Sequence, residues 1–267
     1  MIKLVHKLGI LYNSIVGYLI KLQIDVLGIG NIRPLNPEEN QIVVSLTSYG
    51  RRISKNVVFY TLVSLLKQTK RPARIILWID NSWDYETLPS KLKKLVKYGI
   101  EYKFYDDIRS YKKLIPTLDL FPNNIIITVD DDMYYNSDLI KTLWAGYVTN
   151  GNIQCCKASY PIYNKKECCF LPYNEWPSVS NNQTKELIIP IGVGGVLYPP
   201  NSLSDEVVLK NEFQKLAPNA DDLWFWVMAR RKGSKHSFNK SEKKNYSFDN
   251  LYQFFSQRIC IDSFKFG

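Results

Sequence analysis

The amino terminus lacks the apolar length of a membrane span. Leu8 to Ile20 is free of charge but holds only thirteen residues, and a spanning helix needs roughly 20. No small-residue cleavage site follows it, which argues against a secretory leader. Cysteine is sparse and wrongly spaced for zinc. Four of the five occur as the adjacent pairs Cys155-Cys156 and Cys168-Cys169, with Cys260 left over, and none forms a CxxC. The expectation is thiols, mainly buried, in a reducing cytoplasm. GxGxxG and P-loop spacings are missing too, as are internal repeats and low-complexity tracts. No compact basic run is interleaved with aromatics, so nucleic acid is not an expected partner.

What is present suits a folded enzyme. The chain of 267 residues is 45% hydrophobic and 22% charged, enough to bury a sizeable core. Its 35 Lys+Arg against 25 Asp+Glu leave a net charge of +10, which favours phosphate-bearing substrates or an anionic membrane surface. Lys3, His6 and Lys7 precede the uncharged stretch and Lys21 follows it. Residues 1–30 therefore read as an amphipathic helix. It either lies in the headgroup region with its lysines on anionic lipid, or packs on its own domain or a partner chain. The first alternative implies a cytoplasmic protein peripheral on the inner face of the plasma membrane.

Arg33-Pro34-Leu35-Asn36-Pro37 reads as a linker, and the domain proper begins at Gln41. Strands are expected at Gln41 to Leu46, Arg74 to Ile79 and Ile100 to Tyr105, with a fourth running into Asp130-Asp131-Asp132. Between them Asn56 to Gln68 has a helical pattern, Pro89 and Gly99 bracket a second helix, and Tyr111 to Phe121 is helical in part. Alternation of this kind indicates βαβ units and a mostly parallel sheet, an α/β fold. Polar clusters follow each strand: Thr47 to Arg52, Asp80, Asp106-Asp107 and the acid triplet. Parallel strands bring them to one edge, where open sheets bind ligands. Three adjacent acids repel one another and gain little from packing, so the triplet reads as a hard-cation site for Mn²⁺ or Mg²⁺.

Beyond the triplet, Ser137 is placed to cap a helix to about Val148, and Ile153 to Ala158 reads as a strand. Ser159 to Lys185 has no sustained periodicity and reads as substrate-side surface. Gly192, Gly194 and Gly195 allow close backbone approach. Asp221 and Asp222 open a helix that stops at Gly233, where acids also suit the macrodipole. His236 follows in a short polar stretch.

In this order the pieces resemble the GT-A glycosyltransferases, the nucleotide-sugar-dependent family whose largest group is the bacterial family-2-like enzymes. The resemblance rests on Val43 to Tyr49 with Arg51-Arg52-Ile53, on Leu62 to Pro72, and on Asp130-Asp131-Asp132 as a DXD motif. Gly194-Gly195 and Ala220-Asp221-Asp222 complete it, and it covers Gln41 to His236. Ser159 to Lys185 matches no part of the pattern, which leaves the acceptor open.

The resemblance implies a GT-A-like fold over 41–267, with a nucleotide-sugar-binding half (41–135) and an acceptor-side half (136–267). It implies a metal-dependent hexosyltransferase-type enzyme using a nucleoside diphosphate sugar, UDP-sugar favoured, on a glycan or lipid-linked hydroxyl. Inversion and a role in capsule or lipopolysaccharide synthesis are expected. Asp132 and His236 would hold the Mn²⁺ or Mg²⁺. Thr47, Tyr49, Arg52, Asp80, Lys112, Lys113, Asp130 and Asp131 would bind the nucleotide sugar, with solvated lysines as the alternative for Lys112 and Lys113. Asp221 or Asp222 would be the base, and Gly194 and Gly195 would face the acceptor. Two other readings stay open: a sugar-phosphate nucleotidyltransferase, and a non-catalytic membrane-surface scaffold on a degenerate GT-A fold. The first lacks a glycine- and lysine-rich loop after the first strand.

Overall fold

The computed structural model describes residues 2–180 and 187–248. Lys185 and Cys260 lie outside the described residues. Helix α1 (Ile2–Leu27) leads through the proline-bearing linker to β1 (Ile42–Thr47). The short α2 (Gly50–Ser54) and the longer α3 (Val57–Leu66) follow, then β2 (Arg74–Asp80), α4 (Ser90–Lys93) and β3 (Ile100–Tyr105). A single helical turn at Arg109–Lys113 and α5 (Ile115–Leu120) lead into β4 (Ile125–Thr128).

These four strands are parallel, in the order β4-β1-β2-β3. Their near-continuous apolar runs suit strands covered on both faces: all of β4 and the first five residues of β1 are buried. Every residue of α3 is buried as well, with Leu62, Leu65 and Leu66 in the main apolar cluster against Val44, Leu46 and Ile127. Three polar side chains inside pair with one another. Ser45 and Thr117 hydroxyls lie 2.7 Å apart, and the Trp78 indole N–H donates to both.

After β5 (Met133–Tyr134), α6 (Leu139–Asn150) and β6 (Ile153–Cys155) extend the architecture. β7 (Ala158–Ser159) and the hairpin of β8 (Tyr163–Asn164) with β9 (Cys169–Phe170) occupy the stretch without periodicity. Next come β10 (Ile189–Pro190), β11 (Val196–Tyr198), α7 (Lys210–Leu216), α8 (Asp221–Arg231), β12 (His236–Phe238) and β13 (Tyr246–Ser247). The complete sheet has seven strands, β12-β6-β11-β4-β1-β2-β3. β11 runs antiparallel between β4 and β6, and β12 pairs parallel with β6. This is a mixed, mainly parallel α/β sheet flanked by helices, with a helical extension at the amino terminus.

Several local expectations need correction. Ser137 does not cap α6: the Asn136 Oδ1 accepts the Asp138 N–H at 2.9 Å, and this turn delays the helix to Leu139. Gln68 takes over instead, its Oε1 accepting the Ile140 N–H at 3.0 Å, an otherwise orphaned first-turn donor. The four described cysteines are free; Cys155 is buried, but Cys168 and Cys169 are exposed in the β8–β9 hairpin. Burial holds the Cys155 thiol well above its usual range and the Cys156 thiol at about 12.

α1 is longer than the uncharged stretch that announced it, and it packs on the domain. Ser14, Gly17 and Ile24 face inward. A Cβ on Gly17 would stand 2.9 Å from the Ser247 carbonyl, so glycine allows the helix to lie against β13. Asp25 accepts from Lys91 Nζ and from the Tyr60 hydroxyl, both at 2.7 Å. No helix among the described residues is long and apolar enough to cross a membrane.

Candidate active site

The carboxyl ends of β1, β3 and β4 and the first turn of α8 enclose a cavity of about 480 Å³. It gathers Thr47, Tyr49 and Arg52 from the loop after β1, and Lys112 and Lys113 from the turn after β3. Asp130 and Asp131 enter from β4, and Asp221 and Asp222 from α8.

The three acids of the triplet diverge. Asp131 is buried: Ser48 donates to its Oδ2, Arg52 Nη1 to its Oδ1, and Thr61 of α3 to its carbonyl at 2.8 Å. Burial raises its carboxyl to about 6, against the pull of Arg52 and Ser48. Asp132 takes the other arm of the same guanidinium, at 2.8 Å, and does not line the cavity. Asp130 does line it. Its N–H is held by the Tyr135 hydroxyl at 2.8 Å, and its side chain stays 32% exposed.

Lys113 joins the two sides of the cavity. Its ammonium, almost fully buried, lies 3.2 Å from Asp130 Oδ1, 2.9 Å from Asp221 Oδ2 and 3.3 Å from Asp222 Oδ1. Burial alone would lower this amine, but the three carboxylates outweigh it and hold it well above its ordinary value. The solvated-lysine alternative is thereby corrected for Lys113, and for Lys112, which is buried and paired with Asp107.

The two acids opening α8 differ in kind. Asp221 is buried, accepts from Ser110 Oγ at 2.8 Å, and is lowered on balance by Lys113 and Ser110 despite its burial. Asp222 is raised, by burial first and then by Asp221 and Asp130, against Lys113. Its Oδ2 is pinned by the Gly192 N–H at 2.7 Å. A carboxylate fixed at one oxygen, with raised proton affinity and its side chain 32% exposed, is suited to accept a proton.

Gly192 is a site residue for which the sequence offered only a loose glycine count. A Cβ there would stand 2.6 Å from Lys113 Nζ and 2.9 Å from Asp222 Oδ1. Gly192→Ala is expected to displace both groups and lower turnover about 10²-fold, the usual penalty for a misplacement near 1 Å. Steady-state kinetics check this, and unchanged turnover would show that the Asp222 position is not critical. Asp107, Arg109, Ser110 and Asn219 also line the cavity. Arg109 is left-handed, with φ 56°, uncommon for a bulky residue; its N–H donates to Asp107 Oδ1 at 2.9 Å.

Besides Asp132, four expected residues fall outside the cavity lining. Asp80 ends β2 but turns to the Ser82 N–H at 3.0 Å. Gly194 and Gly195 serve packing, against Lys157 and against Leu139 and Leu143. His236, expected to complete a metal shell with Asp132, lies at the start of β12, the edge strand three places from β4. It pairs there with Ile153 at the start of β6, away from the carboxyl ends that carry the acids. Burial and Arg230 lower its imidazole to about 4. A group held neutral in the fold contributes stability above about pH 6.5 that is lost as the pH falls towards 4. Asp131, raised to about 6, acts in the opposite sense, favouring the fold as the pH falls. Urea unfolding of His236→Gln should therefore lose less stability than the unaltered chain between neutral pH and pH 4, and parallel curves would refute this burial.

The charge balance bears on a metal. Asp107 pairs with Lys112 and Asp131 with Arg52, which leaves Asp130, Asp221 and Asp222 around Lys113 with two negative charges in excess. Among the described residues no group of three or more His, Cys, Asp and Glu is arranged as a metal centre. The donor set still fits Mg²⁺ or Mn²⁺, which bind through one or two carboxylates together with substrate phosphates. Asp130, open to the cavity, supplies such an oxygen.

No protein-family model and no curated protein sequence matches the chain. Solved structures do. A crystal structure of S. aureus TarS, residues 1–349, in complex with UDP aligns with a TM-score of 0.50 and 15% identity. The same TarS segment without that ligand gives 0.50 and 13%. In both, the alignment covers 80% of this chain and 62% of TarS 1–349, so the chain spans under two thirds of that structure. A CMP:2-keto-3-deoxy-manno-octonic acid synthetase complexed with CTP aligns at 0.49 and 12%, over 85% of this chain and 99% of the synthetase. The TarS likeness is one of fold, and the fold is GT-A-like.

Proposed function

We propose that this cavity binds a nucleoside diphosphate sugar and that the chain transfers the sugar to a hydroxyl of a glycan or lipid-linked acceptor. The observation that carries the reading is Asp222, a carboxylate of raised proton affinity opposite the cationic side of a cavity at the strands' carboxyl edge. The likeness to the UDP complex of TarS supports a nucleotide at that edge.

Thr47 and Tyr49 are placed for the nucleoside, and Arg109 and Lys112 for the phosphates. Asp130 would hold a divalent cation, which when bound neutralises the departing diphosphate. Lys113 keeps Asp130 and Asp222 together without neutralising both. Asp222 Oδ1 takes the proton of the acceptor hydroxyl as the hydroxyl oxygen bonds to the anomeric carbon. The bond to the diphosphate breaks on the opposite side, and the leaving group departs with its electron pair. The anomeric centre inverts.

The test incubates the purified chain with UDP-, GDP- and CDP-sugars and Mn²⁺, following release of nucleoside diphosphate. Parallel reactions with nucleoside triphosphates and sugar phosphates follow pyrophosphate. Diphosphate from one donor is expected. Pyrophosphate alone would assign the chain to the nucleotidyltransferases.

A further inference from the structure

Residues 158–179, most of the stretch without periodicity, fold into an arm whose surface is aromatic. Its limbs are tied near the base, where the Val179 N–H donates to the Ala158 carbonyl and the Tyr160 N–H to the Pro177 carbonyl, both at 2.9 Å. The β8–β9 hairpin forms the far end. Along the arm the rings meet edge to face: Tyr163 and Phe170 at 5.4 Å, Phe170 and Trp176 at 6.2 Å, Trp176 and Tyr173 at 5.3 Å. The Trp176 indole N–H donates to the Leu171 carbonyl at 2.9 Å and fixes the middle of the row. Tyr163, Phe170 and Tyr173 remain 50%, 48% and 57% exposed. Rings held in place yet open to water mark a binding surface.

The arm is rooted beside the proposed base. β7 pairs with β10, and the next residue, Ile191, donates its N–H to the Lys157 carbonyl at 2.9 Å. Gly192, which pins Asp222, follows directly. From α8, which carries Asp222, the Trp226 indole N–H reaches the Ile188 carbonyl at 2.9 Å. Tyr173 is near enough to sense that carboxylate: burial, and then the Asp222 charge, raise its phenol. Yet Tyr173 does not line the cavity. At about 480 Å³ the cavity has room for one ligand of nucleotide-sugar size. An acceptor that reaches Asp222 therefore leaves the rest of its body outside, where the arm is rooted.

The chemistry of the row narrows that body to sugar. Its exposed groups are flat apolar rings, two of them tipped by a hydroxyl. A pyranose matches them, with a face of C–H bonds to lie on a ring and a rim of hydroxyls to stay wet. The charged residues of the arm, Lys165, Lys166, Glu167 and Glu175, balance to zero, so no ionic headgroup is selected.

We propose that the acceptor is an oligosaccharide, and that Tyr173, Phe170 and Tyr163 stack on the sugar units behind the one that receives the transfer. This rests on the transfer reading above and adds the acceptor's chemistry to it.

The test applies the full chain to a printed array of neutral glycans, from single sugars to hexasaccharides. An oligosaccharide is expected to bind more tightly than its own monosaccharide. Tyr173→Ala should weaken that binding roughly three- to tenfold, the worth of one aromatic contact, and Tyr173→Ala with Phe170→Ala should weaken it further. Tyr173→Phe, which keeps the ring, should bind as the unaltered chain does. Thermal melts confirm that each variant folds, and titration of UDP, GDP and CDP with Mn²⁺ reports the donor site separately. No oligosaccharide bound, monosaccharides held as tightly, or binding undiminished in the double variant would overturn the proposal, whatever the nucleotides do. Oligosaccharide bound through the rings with no nucleotide bound would instead overturn the transfer reading and leave a sugar-binding surface.

Discussion

Asp222→Asn is expected to lower turnover by about 10²–10⁴-fold, the range for loss of a positioned general base, while nucleotide affinity changes little. Asparagine keeps the shape, and its carbonyl can still accept the Gly192 N–H that pins Oδ2. What it loses is the proton-accepting oxygen. Asp221→Asn should behave differently, because Asp221 is enclosed by Ser110 and Lys113 and its proton affinity is lowered. Its loss loosens Lys113 and affects binding and turnover together. Kinetics on both variants distinguish the roles. A larger loss of turnover in Asp221→Asn than in Asp222→Asn would reverse the assignment.

Lys113→Met should be among the most destabilising single changes in the chain, by roughly 3–5 kcal/mol, the cost of removing one partner from a buried ion cluster. Three carboxylates that now surround one ammonium would be left facing each other. Non-additivity is the sharper test. Adding Asp221→Asn removes one of the stranded charges, so the double variant should be less destabilised than the sum of the single changes. Urea titrations of the four proteins measure this. Strict additivity would mean that Lys113 and Asp221 are not coupled.

The strands were legible because covered parallel strands are written as apolar runs: Ile125 to Val129 and Ile42 to Leu46 need no partner to be recognised. The acids at their ends were legible for the same reason, since parallel strands bring successive carboxyl ends to one edge. The roles within Asp130, Asp131 and Asp132 were not. Which of three adjacent carboxylates opens to the cavity depends on Arg52, nearly eighty residues earlier, which draws Asp131 and Asp132 to itself.

Lys113 was expected at the site, but its pairing with the acids was hidden in the same way, its partners being 17 and 109 positions away. His236 misled because its short polar stretch, seen alone, does not announce an edge strand. Its pairing with β6 is a tertiary fact. Gly192 differs again, because its need for hydrogen in place of a side chain comes from Lys113 and Asp222.

The central claim is that the cavity is a cation-assisted nucleoside diphosphate site centred on Asp130. Isothermal titration of UDP, GDP and CDP into the purified chain, with and without Mn²⁺, tests it most directly, alongside Asp130→Asn and Asp132→Asn. Manganese-dependent binding of one nucleotide is expected, lost in Asp130→Asn and largely kept in Asp132→Asn, whose partner is Arg52. Binding lost only in Asp132→Asn would return the cation to that residue. No nucleotide bound under any condition would contradict the account.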